Sequence, residues 1–199
     1  MSPVKSRYPR TLDVAGTEVI LDLLTPADEA GLAEFVEGLT THDMLFMRRN
    51  IKVPKVREAW IRRVAEGEIT SVAARIDGRI VGTTAIVVDK LSFSAHVGEL
   101  RVLLGPDVRN MGLGRLLIRE AFLVGGEQGL TKLTSQMTLD QDAAITIFEE
   151  LGFRREAMFQ DHVKDDEGNL HDILVMAQEV DRFLAKLEVY GLTSIEAAD

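Results

Sequence analysis

The chain of 199 residues contains no cysteine, so no disulfide can staple it and the core must hold by itself, which a chain of this length manages as one domain. No run of apolar residues approaches the roughly 20 needed to span a bilayer. Nor does an apolar stretch precede a small-residue cleavage site near the start. The expected setting is the cytoplasm. Positive charge is also short: 23 Lys and Arg against 32 Asp and Glu leave a net charge of -9. Such a body repels nucleic-acid phosphates unless a basic patch is segregated on one face. The one basic cluster, Arg48, Arg49, Lys52, Lys55, Arg57, Arg62 and Arg63, is interleaved with apolar residues and reads as the solvated face of an amphipathic helix. Neither nucleic acid nor a membrane is expected as a partner. The four histidines show no metal-ligand spacing, and no metal site is expected. GxSxG and HExxH are missing too, so hydrolase chemistry has no support.

What is present is concentrated in Val102 to Leu117, VLLGPDVRNMGLGRLL, an apolar strand running into a Gly-punctuated turn and an amphipathic helix. The first amides of a helix lack intrahelical acceptors, and the helix dipole adds partial positive charge there. Gly112 and Gly114 keep side chains away from that backbone, and Arg109 adds a cation. The segment suits a pyrophosphate. A dinucleotide fingerprint would need Gly or Ala where Leu117 stands, and an ATPase loop would need GKS or GKT, which do not occur.

Arg109, Asn110, Met111, Gly112, Leu113 and Gly114 resemble the acetyl-CoA signature of the GNAT superfamily of N-acetyltransferases: Gln or Arg, x, x, Gly, x, Gly or Ala. The preceding Leu103, Leu104, Gly105, Pro106, Asp107 and Val108 follow the order usual in that family, and DAAITIFEELGF over Asp142 to Phe153 is similar to its second motif. The element order resembles the family from Thr17 to Glu179, with the distinctive residues between Val97 and Phe153. The resemblance implies an α/β fold, a mixed, mostly antiparallel sheet with a splayed central strand pair flanked by helices. It also implies acetyl-CoA as cosubstrate and transfer of its acetyl group to a primary amine of a small molecule or protein. An acidic body suits such a cationic acceptor. The alternative is a regulatory module that binds acyl-CoA without turnover.

Periodicity gives the elements. Residues 1–16 read as a loose arm, 17–179 as the acetyltransferase-like domain and 180–199 as an added C-terminal helix and tail. Thr17 to Leu24 is β-rich. Thr25, Pro26 and Asp28 mark a helix start whose stripe is Leu32, Phe35, Val36 and Leu39. Thr40 to Val53 reads as a loop with broken helical turns, and a second helix presents Val56, Ala59, Trp60 and Val64. Strands at Ile69 to Arg75 and Arg79 to Val88 meet at Asp77-Gly78, a hairpin signal. Strand Val97 to Leu104, a helix from Gly112 to Gln128, strand Lys132 to Thr138 and a helix from Gln141 to Leu151 follow, the last with the stripe Ala144, Ile147, Phe148 and Leu151. Two strands, Arg154 to Lys164 and Leu170 to Gln178, join at a polar turn. The stripe Val180, Phe183, Leu184 and Leu187 must then be covered by the domain itself or by a second subunit, which would make a homodimer.

The resemblance implies roles. Val102, Leu103 and Leu104 would pair through their backbone with pantetheine, and Arg109 to Arg115 would hold the pyrophosphate. Glu99 stands where several families of the group place the base that takes a proton from the incoming ammonium; period two also puts it beside Arg101, with which it could form an ion pair. The family's second motif carries a Tyr that protonates the leaving thiolate, but Phe148 stands there and cannot donate a proton. Gln141 falls at the motif's Asn, where it could contact CoA or cap the helix. His162, His171, Asp161 and Asp172 lie on the last hairpin, able to pair across it or to meet the acceptor. Met44, Phe46 and Met47 either pack a loop or cover the acceptor.

Overall fold

The computed structural model describes residues 6–47 and 49–189, so Arg48 of the basic cluster lies outside the described residues. Eight strands form one sheet in the order β1-β2-β3-β4-β5-β6-β8-β7: β1 (Arg10–Val14), β2 (Thr17–Leu23), β3 (Ile69–Ile76), β4 (Arg79–Val87), β5 (Val97–Leu104), β6 (Lys132–Thr138), β7 (Arg154–Lys164) and β8 (Leu170–Glu179). Every pairing is antiparallel except β5 with β6. Among the described residues, five helices cover it: α1 (Glu29–Glu37), α2 (Pro54–Ala65), α3 (Leu113–Glu127), α4 (Asp142–Glu150) and α5 (Val180–Val189). The mixed, mostly antiparallel architecture expected from the sequence is therefore present. Among the described residues, no helix is long and apolar enough to cross a membrane.

Two cores lie on opposite faces. On one, Leu113, Leu117, Ile118 and Phe122 of α3 join Ile145 and Phe148 of α4 and Phe183 of α5. On the other, Leu32, Phe35 and Val36 of α1 and Ile61 of α2 pack with Met44, Phe46 and Met47 of the following loop. Those three loop residues are core, each no more than 8% exposed, so packing is what the structure assigns them. In α4 the expected stripe faces this core, with Phe148 buried and Ala144, Ile147 and Leu151 partly buried against it, and Ile145 beside them is buried as well.

Of the arm expected to be loose, residues 1–5 lie outside the described residues, and residues 6–16 are anchored. Residues 10–14 form β1, and Glu120, wholly buried on α3, explains the anchoring. A carboxylate inside a helix face needs partners. The Tyr8 hydroxyl donates to it at 2.8 Å and Arg10 pairs with it, while Arg7 pairs with Glu127 further along the same helix. Burial and the neighbouring Glu120 push the Tyr8 hydroxyl well above the usual phenol range.

The C-terminal stripe is covered by the domain itself. Phe183 stacks on Phe122 with ring centroids 3.8 Å apart, and Leu184 reaches so close to Gly126 that a Cβ there would lie 2.6 Å from it. This packing removes the need for a second subunit over α5. At the start of the first helical segment, Asp28 accepts from the Thr25 amide at 2.8 Å and hydroxyl at 2.9 Å, and it pairs with Arg75 at 2.6 Å. Partial burial opposes its ionisation, but those bonds outweigh it and hold the carboxyl below its ordinary value. A depressed folded pKa contributes stability above the unfolded pKa and loses it as pH falls through the folded one. Asp28→Ala should therefore cost about 1 kcal/mol near neutrality. In paired melts the gap should begin to narrow as pH falls below about 4, where the unfolded carboxyl protonates, and close only below the depressed folded value.

Candidate active site

The backbone path of residues 105–112 builds the turn that the sequence marks. Pro106–Val108 form a single 3-10 turn, Asn110 takes φ 64 and Gly112 φ 86, and α3 starts at Leu113. The first amides of α3 thus emerge behind a left-handed residue. The two glycines differ. A Cβ on Gly112 would meet nothing within 4 Å, whereas one on Gly114 would lie 3.1 Å from Leu104. Gly112 is needed for its left-handed backbone and leaves open space before the amides; Gly114 is needed, at least in part, to pack helix on strand. Arg109 stands at the same turn, donating to Asp43 at 2.7 Å and to the Leu104 carbonyl at 3.4 Å. Burial works against the Asp43 charge, yet the Thr40 amide and hydroxyl and Arg109 hold it below the usual carboxylate range. Met111 packs partly on the first core, Leu113 is buried, and Arg115 pairs with Glu150 of α4.

Beneath this turn the sheet opens. β5 and β6 are in register only at Val97 with Lys132, Gly98 with Leu133 and Glu99 with Thr134. Beyond Glu99, β5 keeps its partner β4, matching Val102, Leu103 and Leu104 to Thr84, Thr83 and Gly82, but among the described residues it has no registered partner towards β6. Leu100 to Leu104 therefore border a wedge, the splayed pair expected above. Unpaired strand edges are donors and acceptors awaiting a partner.

Glu99 stands at the apex of the wedge. Its carboxylate accepts from Arg101 Nε at 2.7 Å, and the two side chains are only 15% and 11% exposed. The ion pair that period two suggests is formed, and it is half sequestered rather than solvated. Arg101 also lies over the Trp60 ring, 5.6 Å from its centroid. Glu99 and Arg101 line an open groove of about 640 Å³ together with Asp89, Thr134, Gln136 and Arg63. Strand alternation sends Glu99 and Arg101 to the α2 face and Leu100 to the α3 face, so the wedge connects one face with the other.

On the α3 side, Phe148 is 6% exposed and meets Phe153 edge to face at 4.7 Å. Gln141 occupies the N-cap position of α4 without a side-chain capping bond; its amide reaches the His42 carbonyl at 3.5 Å. Capping, one of its two expected roles, is not made. On the last hairpin, His171 bonds Asp165 at 3.1 Å, the Asp161 amide donates to Asp172 at 2.8 Å, and His162 lies against Phe159. The hairpin residues thus pair locally, but His171 also faces Asp140, as does His42. Sequence spacing misses that meeting because its members come from three distant segments.

Residues 36–153 match the family model described as Acetyltransferase (GNAT) family. No curated protein matches the chain significantly. Among solved structures, a GNAT-family acetyltransferase from Streptococcus pneumoniae superposes with TM-score 0.70 at 22% identity, covering 81% of this chain and 99% of that one. A ribosomal-protein-alanine N-acetyltransferase from Brucella melitensis gives 0.67 at 19% identity, over 80% and 98%. A spermidine N-acetyltransferase from Vibrio cholerae, solved in complex with CoA and spermine, gives 0.69 at 15% identity, over 83% and 98%. At these identities the superpositions establish the fold.

Proposed function

We infer the reaction from family membership: the chain belongs to the acetyltransferase (GNAT) family. It is an acyl-CoA-dependent N-acetyltransferase, and acetyl-CoA is its cosubstrate. The finer reading is ours. The pyrophosphate sits on the amides from Asn110 to Arg115, with Arg109 beside them and Gly112 leaving the approach open. Pantetheine follows the free edge of Leu100 to Leu104, pairing with the backbone of Val102, Leu103 and Leu104, and passes Gln141 and Phe148. The acceptor, a primary amine on a small molecule or a protein, enters the groove on the α2 face, and the thioester meets it at Glu99.

The observation that carries this reading is the end of β5–β6 pairing at Glu99 and Thr134. It places a carboxylate where a wedge that suits a thioester arm meets a groove that suits an amine. Attack on the thioester carbonyl needs a lone pair, so the ammonium must first lose a proton, and Glu99 takes it. The amine nitrogen bonds the acetyl carbon, the C–S bond breaks, and the second proton that the nitrogen sheds on becoming an amide passes through water to the departing CoA thiolate. That thiolate needs no strong acid, because a thiol has a pKa of only about 8.5. Phe148 therefore shapes the wedge and moves no proton.

The test is a CoA-release assay over a panel of primary amines, run beside calorimetry with acetyl-CoA. Release with at least one amine is expected. Binding of acetyl-CoA with no release across the panel would make the chain a binding module. Phe148→Tyr should retain activity, and Phe148→Leu should retain turnover within about tenfold, the scale of a small packing change. Loss of all turnover in Phe148→Leu, with folding and acetyl-CoA binding intact, would give the ring a chemical role.

A further inference from the structure

We propose that His42, Asp140 and His171 bind a divalent transition-metal ion of the zinc type, with Asp165 supporting His171 from behind. The three come from the loop after α1, the connection between β6 and α4, and the start of β8. One donor atom from each lies within 4.8 Å of the others. His42 Nε2 is 3.4 Å from Asp140 Oδ1, and His171 Nδ1 is 3.8 Å from Asp140 Oδ2. Tetrahedral zinc with bonds of about 2.0–2.2 Å spaces its ligands about 3.4 Å apart. One pair already has that spacing. The other separations close by rotation of side chains that have room to turn, since His42 and Asp140 are 40% and 54% exposed.

The bonding of His171 is what points to a cation. Its Nε2 lies 3.1 Å from Asp165 Oδ2. Asp165 is itself held in place, accepting from the Asn169 backbone amide at 2.8 Å and its side-chain amide at 2.9 Å. A neutral imidazole carries one N–H. With that hydrogen on Nε2 towards Asp165, the Nδ1 lone pair faces Asp140, an acceptor facing an acceptor. A metal ion in between resolves the conflict, and carboxylate behind histidine behind metal is the usual supporting arrangement. Two imidazoles and a carboxylate select zinc-like ions over magnesium, and three protein ligands leave a fourth position for water.

Bound there, the ion would tie three segments at the mouth of the wedge. The same loop already touches the hairpin through Thr41 and Asp166, the start of α4 through the bond from Gln141 to the His42 carbonyl, and the phosphate turn through Asp43 and Arg109. The site does not depend on the reading of acetyl transfer.

The experiment uses the untagged full chain, stripped with a chelator, titrated calorimetrically with Zn²⁺ at about pH 7.5 and melted with and without the ion. One ion per chain, a Kd of about 10 µM or tighter and a raised Tm are expected. His42→Gln and His171→Ala should each weaken binding at least tenfold. Asp165→Asn, which touches no metal, should weaken it by about 10- to 100-fold. Mg²⁺ should give neither heat nor a Tm shift. Circular dichroism checks folding, and if His171→Ala misfolds, His42→Gln, at a side chain 40% exposed, decides alone. Absence of Zn²⁺ binding would overturn the proposal. Unchanged affinity in the His42→Gln protein would overturn it as well.

Discussion

Glu99→Gln is expected to lower kcat/KM for acetyl transfer by about 10²- to 10⁴-fold at neutral pH, the usual contribution of a positioned base. Acetyl-CoA affinity should stay unchanged, because the substitution keeps shape and lies at the apex of the wedge rather than along the phosphate turn. The acceptor sets the pH dependence. An alkyl ammonium with a pKa near that of lysine, about 10.4, is almost wholly protonated at neutral pH. As pH rises the free amine becomes abundant, and the deficit of the variant should shrink. The ion pair with Arg101 supplies the competing explanation, and the groove makes it a serious one. Removing the Glu99 charge leaves a guanidinium 11% exposed with Trp60 beneath it and its carboxylate partner gone. If that were the whole effect, the deficit would be flat with pH and would come with a lower Tm. Wild-type kcat/KM for Glu99→Gln from about pH 6 to 9 would return Glu99 to a structural role and leave ordered water as the proton acceptor.

Legibility in the sequence depends on whether the governing interaction is local. The Asp77-Gly78 turn carries its own signal, since both residues take positive φ, 49 and 79, and the flanking strands pair as expected. The turn before α3 is equally readable, because Gly112 sits where a helix must start behind a left-handed residue. Its motif nevertheless treats Gly112 and Gly114 alike, and only packing separates them: Leu104 fills the space beside one and leaves the other open. The order of the arm is hidden because it comes from Glu120, a charge whose burial does not show in a helix that looks amphipathic. The meeting of His42, Asp140 and His171 has no spacing to detect, since strand order alone brings the hairpin beside the end of β6. Phe148 is legible from its motif position, and the structure adds its burial against Phe153.

Gly112→Val is expected to weaken acetyl-CoA binding well over tenfold, about 1.4 kcal/mol or more. Nothing in the protein lies within 4 Å of the added Cβ, so the new side chain projects into the space where a pyrophosphate would approach the first amides of α3. The complication is φ 86, which a β-branched residue tolerates poorly at a cost of about 1–3 kcal/mol. Strain and obstruction can be separated within this molecule. Gly16, in the β1–β2 turn, has φ 80 and likewise nothing within 4 Å of an added Cβ, but it lies far from the phosphate turn in the sheet order. Gly16→Val should therefore lower Tm to a similar degree and leave acetyl-CoA affinity untouched. Gly112→Asn adds the third comparison, because asparagine enters the left-handed region at little cost. It should melt close to the wild type yet still bind acetyl-CoA more weakly, its side chain standing before the amides. Calorimetric titration of the three folded variants with acetyl-CoA reads the difference directly. Wild-type affinity in a folded Gly112→Val protein would remove the pyrophosphate from this turn, and with it the path of the thioester towards Glu99.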